Sequence, residues 1–187
     1  IFDVEKLRWL NGVWLREELS EAELADRLQH WAFNRDRLMS VLPHAQKRME
    51  VLSDFAPLAG FLVSGELPLT EADFDGLRGE REDTVRQLQF ALWRLEALRH
   101  WDRDIVWQAL KALADDLGVK VKDFLAPLFI AISGSSASFS VVDAMGLLGP
   151  DMSRMRIRHA IAVLGGVSKK AGKRLEKEYG ALPSTEA

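Results

Sequence analysis

The side chains able to do chemistry in this 187-residue sequence are few and poorly spaced for it. Its four histidines, His30, His44, His100 and His159, are scattered. None stands at a His-x-x-x-His or His/Glu spacing that would hold zinc. Cysteine is absent, which removes disulfides, thiolate metal sites and a Cys nucleophile. No Gly-x-Ser-x-Gly elbow occurs. The stretch Gly166-Val167-Ser168-Lys169-Lys170-Ala171-Gly172-Lys173 approaches a phosphate-binding loop but departs from one three times. Five residues separate its glycines instead of four, Arg174 stands where Ser or Thr must hold magnesium, and no strand pattern precedes it. With no nucleophile–base pair, metal cluster or phosphate loop, the sequence points to binding rather than to a chemical step. No catalytic residue, metal or cofactor is assigned to the chain itself.

The binding chemistry on offer is cationic and local. A net charge of −3 argues against a protein that coats nucleic acid through bulk electrostatics. The charge is unevenly spread, however. From Asp151 to Gly180, eight Lys or Arg face three acids, whereas Glu66 to Asp83 carries seven acids and two Arg. One end can therefore present a basic face to an anion while the whole stays soluble. Arg154, Arg156 and Arg158 are candidate phosphate contacts, which are sequence-blind and salt-sensitive; the alternative is a solvated helix face. Six Trp is a high count. All six fall on apolar stripes or their edges, which favours core packing over stacking on exposed bases.

These residues must be positioned by helices, because helical periodicity dominates and no convincing strand alternation appears. The expected fold is all-α with no sheet. Leu7, Leu10, Trp14 and Leu15 share one stripe behind Asp3, a candidate cap, and Ser20-Glu21-Ala22-Glu23 is a capping-box pattern. A helix is expected over 37–52, with Pro43 either kinking it or beginning it. Further helices are expected over 53–63, 81–99, 104–117, 122–132, 140–148 and 153–164, and Gly118 suits the position after the helix over 104–117. The last segment, 167–179, is basic and weakly amphipathic, and reads as a surface helix or a partly ordered tail. Ser64-Gly65-Glu66-Leu67-Pro68 is the clearest break and divides the chain into subdomains 1–66 and 67–187. No apolar run approaches the ~20 residues a membrane helix needs. The start at Ile1, without Met or a targeting pattern, reads as an excised fragment, and the absence of Cys fits the cytoplasm.

Two segments carry more than periodicity. The first is Phe2-Asp3-Val4-Glu5-Lys6-Leu7-Arg8-Trp9-Leu10-Asn11-Gly12-Val13-Trp14-Leu15-Arg16-Glu17. It resembles the helix that opens the anticodon-binding region of bacterial-type glutamyl-tRNA synthetases (glutamate–tRNA ligases). The second comprises Gly118-Val119-Lys120, then Ala126-Pro127-Leu128-Phe129-Ile130-Ala131-Ile132-Ser133-Gly134, then Ala144-Met145-Gly146-Leu147-Leu148-Gly149. It is similar to a later block of the same family, and Trp101 falls where that family places a Trp ahead of the helix leading into it. The resemblance spans nearly the whole chain.

It implies the C-terminal part of such an enzyme: two stacked irregular helical subdomains gripping the anticodon loop and stem of tRNA(Glu). The ATP- and Mg-using Rossmann domain of the parent lies outside this sequence. It also implies site residues. Arg48 resembles the arginine that contacts the third anticodon base and helps exclude tRNA(Gln); a fork of donors suits base-edge reading. Ser138, Phe139 and Val141 align with a contact segment whose hydroxyl and apolar surface can hold unstacked bases. Phe129 stands where most relatives have an anticodon-contacting Arg, so it either stacks on a base or has joined the core. Arg8, Asn11 and Arg16, within the opening segment, are carried over as tRNA contacts. A monomer is expected. Two other readings stay open: a helical protein-interaction scaffold derived from such a domain, and a synthetase that also charges tRNA(Gln).

Overall fold

The computed structural model describes residues 3–135 and 139–183. Among them it shows ten α-helices, with 3-10 turns and one π-helical segment in the connections, and no strand. None of these helices is long and apolar enough to cross a membrane. The chain divides into two compact units, Ile1–Gln46 and Lys47–Ala187.

The first unit holds α1 (Val4–Val13), α2 (Glu21–Trp31) and α3 (Arg35–Ala45). Each starts where a short polar side chain satisfies N–H groups that have no partner within the helix. Asp3 Oδ1 accepts from Lys6 N at 3.0 Å, and Asn34 Oδ1 accepts from Arg37 N at 2.8 Å. Ser20 and Glu23 close the reciprocal box that their spacing announces: Glu23 N donates to Ser20 Oγ at 3.3 Å and Ser20 N to Glu23 Oε2 at 2.9 Å. The Ser20 hydroxyl, then its backbone N–H, hold the Glu23 carboxyl below its ordinary range.

Two expectations change here. The helix anticipated over 37–52 begins at Arg35 and stops at Ala45. Pro43 has no N–H to donate in that last turn, and the chain tightens into a 3-10 turn at Gln46–Arg48. The stripe on α1 is also not a buried one. Leu7 is 51% exposed and no residue of α1 is buried. Trp9 and Trp31, expected in a core, are exposed as well, and Trp14 lies under the Arg27 guanidinium, 4.7 Å from its ring centroid. The buried apolar residues of this unit are small: Ala32, Val41 and Ala45.

The second unit contains α4 (Phe55–Ala59), α5 (Arg81–Glu96), α6 (Arg103–Asp116), α7 (Val121–Ser133), α8 (Val141–Leu148), α9 (Pro150–Val163) and α10 (Lys169–Gly180). Helix α5 is its centre and packs on α6, α7 and α9, with α8 against α6, α7 and α9. Leu88, Phe90 and Leu95 of α5, Leu110 and Leu113 of α6, and Phe124 and Ile132 of α7 are completely buried. Trp101, ahead of α6, donates its indole N–H to Met145 O at 3.0 Å and so ties that turn to α8. Gly149 ends α8 at φ +81°, where a side chain would be strained, and Pro150 opens α9.

The break at 64–68 lies inside this unit. Arg156 of α9 explains why it is not an edge. Its Nε donates to Gly65 O at 3.1 Å, its Nη2 to Phe61 O at 2.6 Å and Ser64 O at 2.5 Å, and its Nη1 to Ile132 O of α7. One guanidinium therefore fastens the turn after α4 to α7 and α9. Gly and Pro mark a turn in sequence, but packing decides whether that turn is also a boundary.

Candidate nucleic-acid interface

The anticipated contact residues separate into those the fold presents and those it uses internally. In the first unit Arg8 and Asn11 are exposed on α1, three residues apart and hence on one face. Arg16 is exposed in a π-helical segment, Trp14–Glu18, that continues α1. Such segments re-aim side chains and recur at functional sites. Gly12 makes room for it: a Cβ there would stand 2.9 Å from Arg16 Nη1. Gly12→Ala is expected to stabilise α1 by about 0.5–1 kcal/mol, since the neighbour is the far end of a flexible side chain. It should also push the Arg16 guanidinium aside and, with Arg16 as the tRNA contact that the resemblance implies, weaken RNA binding. A thermal melt and an RNA titration on the same variant read the two effects with opposite signs.

In the second unit Arg48 is exposed at the end of the 3-10 turn and has no hydrogen-bond or ion-pair partner among the described residues. Its five donors remain available in a fixed fork. The turn beyond it is well fixed. Asp54 Oδ2 accepts from Glu50 N at 2.8 Å and Val51 N at 3.0 Å, which holds the Asp54 carboxyl below its usual range, the Val51 bond being the larger cause.

Phe129 is half-buried on α7, so it neither joins the fully buried core nor stands free. Ser138 lies outside the described residues. Phe139 and Val141 are not available to bases: they are 3% and 1% exposed. The Phe139 ring packs 5.4 Å from that of Phe61, and Val141 opens α8 with its side chain inside the bundle. Apolar surface here is worth more in the core than facing solvent and RNA.

The three arginines of α9 also divide. Arg156 is 0% exposed and cannot meet a phosphate, because its whole fork is engaged by carbonyl oxygens. Burial pulls its guanidinium down to about 10, so it stays charged at neutral pH. Arg154 donates to Leu95 O at 2.7 Å and lies over the Trp101 ring at 5.4 Å. Arg158 is exposed and pairs with Glu96, an exposed ion pair of the kind that holds its partner weakly. Arg158 is exposed and Arg154 half-buried, so of the three only Arg156 is closed to a phosphate. Helix α10 adds Lys169, Lys170, Lys173, Arg174 and Lys177, all exposed, which the sequence marks only as a basic end. Among the described residues no group of three or more His, Asp or Glu is placed to hold a metal ion.

Fold and surface together define a helical recognition module with scattered arginine forks and one strongly basic helix. The family described as an anticodon binding domain matches residues 23–161, and the chain belongs to that family. It is 57% identical over 182 residues to a glutamate–tRNA ligase of Saccharophagus degradans and 59% identical over 182 residues to one of Cellvibrio japonicus. Each alignment covers 97% of this chain and 36% of the relative. The chain thus spans about a third of the length of the curated relatives it matches. Its fold is similar to part of a crystal structure of a glutamate tRNA ligase from Elizabethkingia meningosepticum, with a TM-score of 0.63 at 18% identity, over 87% of this chain and 33% of that one.

Proposed function

We propose that this chain is the anticodon-reading part of a glutamate–tRNA ligase and recognises tRNA(Glu) for aminoacylation by a catalytic part that uses ATP and Mg. The observation that carries this is near-complete alignment, at 57% identity, with a glutamate–tRNA ligase of which it covers 36%. The exposed fork of Arg48 supports a base-reading role there, and Arg8, Asn11, Arg16, Phe129, Arg154 and Arg158 are the further contacts this reading keeps. Phe139, Val141 and Arg156 are not among them.

The test is a fluorescence titration of the 187-residue chain with anticodon stem-loops of tRNA(Glu) and tRNA(Gln). The chain should prefer the first. Arg48→Ala should remove about 1–3 kcal/mol of that preference, roughly a 5- to 150-fold change in the affinity ratio, with little loss of affinity for an unrelated RNA. Equal binding of both stem-loops by the unaltered chain would point to a ligase accepting both tRNAs. Saturable binding of a protein, with no RNA affinity at low salt, would replace the proposal with the scaffold reading.

A further inference from the structure

Helix α10 is not a loose basic end. Leu175 is buried, and Tyr179 packs its ring 5.3 Å from those of both Phe90 and Trp93 of α5. Arg94 Nε donates to the Tyr179 hydroxyl at 3.1 Å, and Arg86 Nε donates to Glu178 Oε1 at 2.7 Å. The turn leading into it is pinned too: Arg81 donates to Leu164 O at 2.6 Å, and its guanidinium fills the space beside Gly165, where a Cβ would come within 2.8 Å.

The outer face is the reverse of the docked one. At 100° per residue, Lys169, Lys170, Lys173, Arg174 and Lys177 occupy an arc of about 140°, opposite Leu175. All five are exposed, and none has an ion-pair or hydrogen-bond partner among the described residues. The acids of the helix sit outside the arc: Glu178 is held by Arg86, and Glu176 lies at its edge. This pattern opposes helix stability in two ways. Lys169 and Lys170 stand in the first turn, where the helix dipole disfavours cations and no acid balances them. Lys169, Lys173 and Lys177 form a like-charge row at four-residue spacing, and Lys170 and Arg174 form another. A chain of net charge −3 holds five cations on one anchored face, against local preference. Departures from local consistency of this kind are expected where a ligand compensates them.

We propose that the outer face of α10 is a sequence-blind clamp for the sugar–phosphate backbone of RNA, separate from the anticodon-reading arginines. A rigid row of cations complements a regular row of phosphates, and counterion release supplies the free energy. Arg81 is not part of the clamp, since Glu71 takes its fork at 2.6 and 2.9 Å. The inference rests on the RNA-binding reading above, but it fails separately from it.

The test compares the unaltered chain with Lys169→Gln/Lys170→Gln/Lys173→Gln/Lys177→Gln, titrated with the tRNA(Glu) stem-loop, an unrelated RNA hairpin and phosphatidylserine vesicles at several salt concentrations. The quadruple variant should lose at least roughly tenfold in affinity for both RNAs at low salt. Its slope of log affinity against log salt should flatten by about three, at roughly 0.7–0.9 per lost phosphate contact. The ratio between the two RNAs should not change, and the corresponding Lys→Arg variant should bind as the unaltered chain does. A thermal melt should show no loss of stability, since repulsion has been removed. Unchanged RNA affinity and slope would overturn the clamp, as would a loss confined to vesicle binding. If the unaltered chain binds both RNAs equally, the anticodon reading fails while an α10-dependent slope upholds the clamp. If Arg48→Ala changes preference but the α10 variant changes nothing, the reverse holds. A chain that binds no RNA overturns both.

Discussion

Replacing Arg156 with alanine should destabilise the second unit by about 3–5 kcal/mol, a large fraction of the stability of an ordinary domain. The guanidinium is completely buried and serves Phe61, Ser64, Gly65 and Ile132 carbonyls at once. Truncation removes this donor from the Ser64, Gly65 and Ile132 carbonyls, while Phe61 O keeps the Ser64 N–H at 3.3 Å, and each acceptor left unpaired and kept from water costs about 1–3 kcal/mol. Arg156→Lys should recover only part of the loss, because one ammonium cannot span acceptors on both α7 and the turn after α4. Urea denaturation monitored by far-UV circular dichroism reads the shift in midpoint, and hydrogen exchange should show residues 61–65 losing protection first. A lysine variant with native stability and impaired RNA affinity would return Arg156 to the phosphate contacts.

That residue also shows what could be read from the sequence and what could not. Arg154, Arg156 and Arg158 look equivalent as a basic run. A spacing of two on a helix, however, turns Arg156 about 200° from Arg154 and sets it among Ser153, Ile157 and Ala160, all buried. The signal for burial was therefore present in the periodicity, and charge concealed it. The capping box at Ser20 and Glu23 was legible because it is local. The break at Ser64–Pro68 was legible as a turn, but not the arginine 91 residues away that fastens it. The burial of Phe139 and Val141 is hidden in the sequence for a related reason. A hydrophobic residue in a contact segment and one in a core have the same composition, and only the packing of Phe61 against Phe139 distinguishes them. The apolar stripe of Leu7, Leu10, Trp14 and Leu15 is visible in the periodicity, yet periodicity says only that a face is apolar, not that this chain covers it. The docking of α10 depends on Tyr179 meeting Arg94 across 85 positions, which no local pattern announces.

The second large effect is expected at Arg94. It is buried on α5, donates to Asp116 Oδ2 of α6 at 3.2 Å and to the Tyr179 hydroxyl of α10 at 3.1 Å, and so joins three helices. Arg94→Ala leaves the nearly buried Asp116 carboxylate without this ion partner, and breaking a buried pair from one side costs about 3–5 kcal/mol. Arg94→Ala/Asp116→Ala should be less damaging than the two single losses together, because the uncompensated charge is gone; a double-mutant cycle by urea denaturation measures the difference. The functional consequence distinguishes position from charge. In Arg94→Ala every lysine of α10 remains, but the helix loses one of the contacts that orient it, so its amides should exchange faster than those of α5 and RNA affinity should fall with stability. In the quadruple Lys→Gln variant affinity should fall while stability does not. If Arg94→Ala frees α10 and leaves RNA affinity and its salt slope intact, then the basic residues act as a loose cationic segment, and the docking through Tyr179 serves the fold alone.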